Sequence, residues 1–379
     1  ADLLVSRAFS AAEIADWARF RSLVGIAAVV PLIGLDQVLV RSPAASAQLL
    51  RLLAVQVPLL GVAVGLVLDW SGLIADWWLG AGLAIGSAAS LVAFHYFRSH
   101  RRHVLSQLAQ QGWKIAAFAL IAAMVLGGWR VDLVETGVVL LLATTAAMIA
   151  AIALLPPSRL HPQSPMRVGG HYEIGSRFMV TGLLLAVSVY AEQLVVNRLG
   201  TEHEAALYFT CAIYFLFVPT FLNGYLAFLM GPWVRDRHDR FLALLRGRWG
   251  LILAGTTAYA LVLNGLGWLL WQAVAPSVGA PDPVLQALFL ATALVRSLYL
   301  LPSGYLGVFG RPREHSILIA AQIVAVGVVL ALFFGLRLAG VELVHAVAAA
   351  SALNWLLRTL VGFRMIGVVA QTRGAGRPG

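Results

Sequence analysis

Cysteine, lysine and charge are all scarce in this sequence. Cys211 is the only cysteine among 379 residues, which excludes a disulfide framework, an iron–sulfur site and any cysteine-rich zinc site. Charged residues amount to 12% of the chain. Soluble domains carry about a quarter, so there is too little polar surface here to cover a water-facing globule. Of the 27 basic residues only Lys114 is a lysine, and the arginines fall in short clusters between apolar segments. The net charge of +10 therefore reads as membrane topology and not as the footprint of a nucleic acid. Catalytic constellations are wanting as well. His95, His100 and His103 share a basic region without a cysteine or carboxylate beside them. Gly374, Gly376 and Gly379 have the spacing of a dinucleotide fingerprint, but neither a strand before it nor a helix after it. No enzymatic activity, cofactor or metal is expected.

What the sequence has is apolar length. Hydrophobic residues make up 60% of it, and a helix crosses a bilayer with about 20 of them. Eleven such runs are found, approximately 17–40, 49–69, 73–96, 104–128, 133–155, 174–198, 205–231, 249–273, 284–308, 315–337 and 342–364. They predict an all-α, polytopic membrane protein built from two helical bundles. Residues 1–155 form an N-terminal bundle of five spans, 156–173 a Pro- and Gly-rich linker, 174–366 a C-terminal six-helix bundle and 367–379 a disordered tail. Basic residues divide between the two sides as 19 against 6. The richer side is the cytoplasmic one, which places the linker and the C-terminus in the cytoplasm.

Sliding the chain along itself by 191 residues superposes Leu3, Val5, Arg7, Glu13 and Ala15 on Leu194, Val196, Arg198, Glu204 and Ala206. Leu4, Ser6 and Trp17 then meet Val195, Asn197 and Tyr208. The halves thus read as a parallel repeat with an axis along the membrane normal. Ala1 corresponds to a point near the end of the 174–198 helix, so the first half is expected to lack its first helix. Truncation of a twelve-helix protein is the preferred account, and an eleven-helix protein the alternative.

The segment Leu3-Leu4-Val5-Ser6-Arg7, with Glu13 and Trp17 opening a helix that closes in Gly34-Leu35-Asp36-Gln37-Val38-Leu39-Val40-Arg41, resembles the first-to-second helix region of oligosaccharide flippases. These belong to the multidrug/oligosaccharidyl-lipid/polysaccharide transporter superfamily. Glu192-Gln193-Leu194 through Glu204 and Tyr208 is similar to the region after that family's seventh helix, although Glu192 stands where an Asp is commoner. The resemblance implies a flippase of the plasma (inner) membrane. It would move a polyprenyl-diphosphate-linked oligosaccharide from the inner to the outer leaflet by alternating access, for cell-surface polysaccharide biosynthesis. The implied partners are the lipid-linked saccharide, the bilayer and polysaccharide-assembly proteins, with no nucleic acid. A multidrug or metabolite exporter of the same superfamily is the alternative; it would be favoured by a carboxylate at the midplane, and Asp36, Asp69, Glu192 and Glu342 all lie near span ends.

An arginine at the bilayer centre costs about 2.5–3.5 kcal/mol on insertion scales and is kept where it faces a cavity or a partner. Arg296 lies near the middle of its run and is the leading substrate-binding candidate, with paired guanidinium donors suited to a diphosphate; a structural pin hydrogen-bonded to neighbouring carbonyls is the alternative. Arg358, Arg19, Arg21, Tyr299 and Asn354 complete the expected cavity set. For Arg19 and Arg21 a snorkelling, structural role is the preferred reading and cavity binding the alternative, and for Arg358 a structural role is likewise preferred. Asn223, Asn264, Gln322 and Tyr305 are further candidates for sugar hydroxyls or, equally, for interhelical hydrogen bonds.

Overall fold

A computed structural model of the protein describes residues 1–129, 132–154 and 168–374. Among these every regular element is helical, and nine helices are long and apolar enough to cross a membrane. The chain is an all-α, multi-pass membrane protein. Residues 156–167 of the expected linker and the glycines at 376 and 379 lie outside the described residues.

Contacts divide the chain into two units, Ala1–Leu194 and Val195–Gly379. In the first, α1 (Asp2–Ala8) and α2 (Ala11–Ala27) lead through a 3-10 turn at Val30–Leu32 into α3 (Leu35–Arg41). The long helices α4 (Ser46–Trp70), α5 (Trp77–Ser99), α6 (His103–Gly127) and α7 (Leu133–Ala153) follow, and then α8 (Val168–Leu199), most of which belongs to this unit. The second unit holds α9 (Glu202–Ala212), a π-helical turn at Ile213–Phe217, α10 (Asn223–Asp236), the short α11 (His238–Gly247), and α12 (Trp249–Val274). It ends with α13 (Pro283–Phe309), α14 (Pro312–Leu338) and α15 (Leu343–Gly374).

Two of the eleven expected spans are not continuous helices. The run 17–40 is α2 and α3, bent 71° apart. Pro31 brings no N–H to the helical ladder, and Ile33 and Gly34 both take the left-handed conformation, with φ of 46° and 70°. At Gly34 nothing larger than hydrogen fits, since a Cβ would stand 2.0 Å from the carbonyl oxygen of Gly175 on α8. The run 205–231 breaks at the matching station, where α9 passes into the π-helical turn and then an irregular stretch around Pro219 before α10. Both broken segments start the same way. Ser10 and Glu13 form a reciprocal capping box ahead of α2, and Thr201 and Glu204 form one ahead of α9, at the 191-residue offset. Pro58 and Pro302, by contrast, lie inside α4 and α13 without ending them.

Each unit is organised on one helix. In the first, α5 packs against α2, α3, α4, α6 and α7; in the second, α13 packs against α9, α10, α12 and α15. α4 shows how a span of this composition sorts its faces. Leu49, Leu53, Val57, Gly61, Gly65 and Leu68 recur at helical spacing and are buried, whereas Val55, Leu59, Val62 and Leu66 are exposed for lipid. Gly61 and Gly65 let α5 approach until a Cβ on Gly65 would come within 2.4 Å of the Trp77 carbonyl oxygen. Trp70, Trp77, Trp78 and Trp129 are exposed at the α4–α5 turn and the end of α6, where an aromatic belt belongs.

The structure corrects the expected end of the chain. Residues 367–374, read as disordered tail, continue α15, because Met365, Ile366 and Val369 bury against Phe241, Tyr305 and Phe309. Residues 168–173, read as linker, likewise open α8. There the Tyr172 hydroxyl donates to Gln56 Oε1 at 2.6 Å, and His171 is fully buried.

Candidate functional site

α13 and α15 cross closely in the second unit. The crossing is allowed by Gly362, where a Cβ would stand 2.8 Å from the Pro302 ring, and is tied by the Thr359 hydroxyl, which donates to the Val295 carbonyl at 3.3 Å. Each helix contributes a pair of residues three apart, Arg296 with Tyr299 and Trp355 with Arg358, and such pairs share a helix face. The pairs interlock. The Arg296 guanidinium lies 4.8 Å from the centre of the Trp355 ring, and that of Arg358 lies 5.5 Å from Tyr299 and 5.8 Å from Trp355. Tyr299 and Trp355 meet edge to face at 5.7 Å. From α14, the Gln322 carboxamide oxygen accepts from Arg358 Nη2 at 3.0 Å.

This is a cluster of donors. Arg358, Gln322 and Trp355 are buried and Arg296 is half-buried. The Trp355 Nε1, Gln322 Nε2 and Ser351 hydroxyl are buried and meet no hydrogen-bond partner among the described residues. α13 and α15 contain no carboxylate, and α14 has only Glu314, which caps its own N-terminus through the Arg311 N–H. Two guanidinium charges, an indole N–H, a carboxamide N–H and a hydroxyl are what an anion with several oxygens requires.

Arg358 was expected six residues from the end of its span. The longer α15 puts it midway along the helix, as Arg296 is midway along α13. Asn354 is half-buried next to Trp355 in the chain. Arg19 and Arg21 belong to the first unit, and both have acidic partners. Arg19 pairs with Asp16 one turn earlier. Arg21 reaches Asp2 at 3.3 Å and lies 5.4 Å over the Trp113 ring, while the Trp17 indole N–H donates to the same carboxylate at 2.9 Å. Burial pushes the Asp2 carboxyl up, but Arg21 and the indole outweigh it and hold it below the ordinary carboxylate range. Three other polar candidates serve as interhelical ties. Asn223 donates to Ser297 at 3.1 Å, Asn264 accepts from Gln286 at 3.1 Å, and Tyr305 is 3.0 Å from His238.

Trp355 and Ser351 were not singled out by sequence. The available signal was the spacing Ser351, Trp355, Arg358, one face of one helix opposite Arg296 and Tyr299.

The fold thus defines a multi-pass helical membrane protein with a buried cationic, aromatic-lined cluster in its second unit. No protein-family model, curated protein or solved structure matches the chain.

Proposed function

We propose that the protein is a transporter that flips a polyprenyl-diphosphate-linked oligosaccharide from the inner to the outer leaflet of the plasma membrane by alternating access. The observation that carries this reading is the donor cluster of Arg296, Arg358, Trp355 and Gln322 midway along membrane helices. Cations at that depth are costly unless they meet an anion or a cavity, and a diphosphate neutralises two of them at once. Tyr299 and Asn354 flank the charges and suit the first sugar. Cationic drugs are disfavoured by the same arrangement, because the cluster offers donors where such a cargo needs a carboxylate.

The test is binding followed by transport. A polyprenyl diphosphate added to the purified protein should raise its melting temperature with saturation, the corresponding monophosphate should do so more weakly, and a lipophilic cation should not. Proteoliposomes should then translocate a fluorescent polyprenyl-diphosphate saccharide. Equal shifts by all three compounds would remove the basis of the assignment.

In this reading the arginine-rich ends face the cytoplasm, including Arg98, Arg101 and Arg102 and the α11 region with Arg240, Arg246 and Arg248. Cys211 is fully buried, so an introduced thiol at the exposed Arg240 reports alone. Arg240→Cys should resist a membrane-impermeant maleimide on intact cells and react after permeabilisation. Reaction on intact cells inverts the topology.

A further inference from the structure

The first unit carries a second buried polar cluster, which the anion site does not use. Asp36 on α3 and His95 on α5 are both almost wholly buried, and the Asp36 Oδ2 and His95 Nε2 are 3.1 Å apart. Gln37 closes a triangle, its Nε2 lying 3.1 Å from Asp36 Oδ2 and 3.0 Å from His95 Nε2. His95 Nδ1 is buried and has no hydrogen-bond partner among the described residues.

The triangle is never fully satisfied at one proton count. The carboxylate can only accept and the carboxamide nitrogen can only donate, so Gln37 donates to Asp36. His95 Nε2 faces both. As an N–H it serves Asp36 but confronts the Gln37 donor; as a lone pair it serves Gln37 but confronts the carboxylate. One added proton changes the balance. It turns a buried net charge of −1 into a neutral pair, at the cost of an Nδ1–H with nothing to receive it. The imidazolium thus still faces the Gln37 donor and gains an orphaned Nδ1–H, but gives Asp36 a charge-assisted bond across the α3–α5 contact, so occupancy alters how well α3 seats on α5.

The place of the cluster gives this consequence for the backbone. Asp36 and Gln37 lie one residue, Leu35, beyond Ile33 and Gly34, the two left-handed residues at the 71° bend of the α2–α3 span. The other charged groups on the packed elements are engaged as follows. Arg41 of α3 lies on Phe178 at 4.5 Å and Arg98 of α5 on Phe94 at 6.0 Å. Arg51 of α4 is exposed and Asp69 is at its far end. On α2, Glu13 caps the helix, Asp16 holds Arg19 and Arg21 holds Asp2. Lys114 and His103 on α6 and Glu135 on α7 complete the elements against α5. On α8, His171 is 3.5 Å from Gln48 and Glu173 holds Arg177.

We propose that the Asp36–His95 pair is a proton-binding site whose occupancy sets the seating of α3 on α5, and with it the bend of the first unit's broken span. This does not depend on which cargo the second unit binds. Hydrogen exchange of the full chain in nanodiscs tests it, followed over residues 33–41 as a function of pH. After correction for the intrinsic pH dependence of exchange, protection there should change several-fold in the wild type. It should be flat in Asp36→Asn and in His95→Gln, with other peptides unaltered. Gln37→Leu removes the competing donor and should move the midpoint without abolishing the transition, which gives a reading should either first variant fail to fold. A wild type whose protection at 33–41 is independent of pH, or a transition retained in every variant that folds, overturns the proposal.

Discussion

Replacing Arg296 by alanine is expected to abolish transport of the lipid-linked saccharide while leaving the protein in the membrane at near-normal levels. The magnitudes separate the two effects. Within the protein, one contact of Arg296 is the stack on the Trp355 ring at 4.8 Å, worth about 0.5–2 kcal/mol. Toward a diphosphate, a guanidinium makes paired hydrogen bonds of about 1.5–3 kcal/mol each. Losing two of them weakens binding by more than about a hundredfold, at about 1.4 kcal/mol per factor of ten. Arg296→Lys keeps the charge without the fork and should fall in between, near tenfold, on the order expected for loss of one such bond. Arg358→Ala should be as damaging to transport and more damaging to stability, because it also strips the buried Gln322 carboxamide oxygen of its donor. Flipping assays and membrane abundance, measured together, decide the matter. An Arg296→Ala protein that disappears from the membrane marks a structural pin, and unchanged transport rules out a binding role.

The second large effect is expected at the bend of the first unit. Gly34→Ala introduces a Cβ 2.0 Å from the Gly175 carbonyl oxygen at a residue with φ of +70°. The left-handed conformation costs a non-glycine residue about 1–2 kcal/mol, and overpacking adds about 1–3 kcal/mol. A clear drop in melting temperature in detergent should result, with α8 released from the α2–α3 bend. Gly327→Ala on α14 is the control, since its Cβ would meet nothing within 4 Å. It should be neutral or mildly stabilising, as alanine is the better helix former. Equal melting of both variants would mean that the Gly34–Gly175 approach does not hold α8 to the α2–α3 bend.

Helix positions were legible in the sequence because a bilayer demands long apolar runs, and most of the runs are unbroken helices. The two breaks were not. Hydropathy is continuous through 17–40 and 205–231, and the proline signal does not discriminate, since Pro31 and Pro219 sit at breaks whereas Pro58 and Pro302 are carried within helices. The difference is tertiary: Gly34 exchanges helical continuity for the close crossing with Gly175. The C-terminal helix was likewise underestimated, because Arg373 and the glycines that follow read as tail, while the contact of Val369 with the Phe241–Tyr305 cluster is long-range. At the candidate site Arg296 and Arg358 stand out in the sequence as charges against an apolar background, and Tyr299 as a hydrogen-bonding side chain three residues from Arg296. Trp355 was hidden among 11 tryptophans; its role as the ring shared by both guanidiniums exists only once α13 and α15 cross.

The tryptophans also divide the protein optically. Trp70, Trp77, Trp78 and Trp129 are exposed near one end of the first unit's helices, whereas Trp17, Trp113, Trp271 and Trp355 are shielded by protein. A water-borne collisional quencher reaches the first population and leaves the second emitting. The residual fluorescence therefore includes the indole that both guanidiniums touch, in a protein carrying no label.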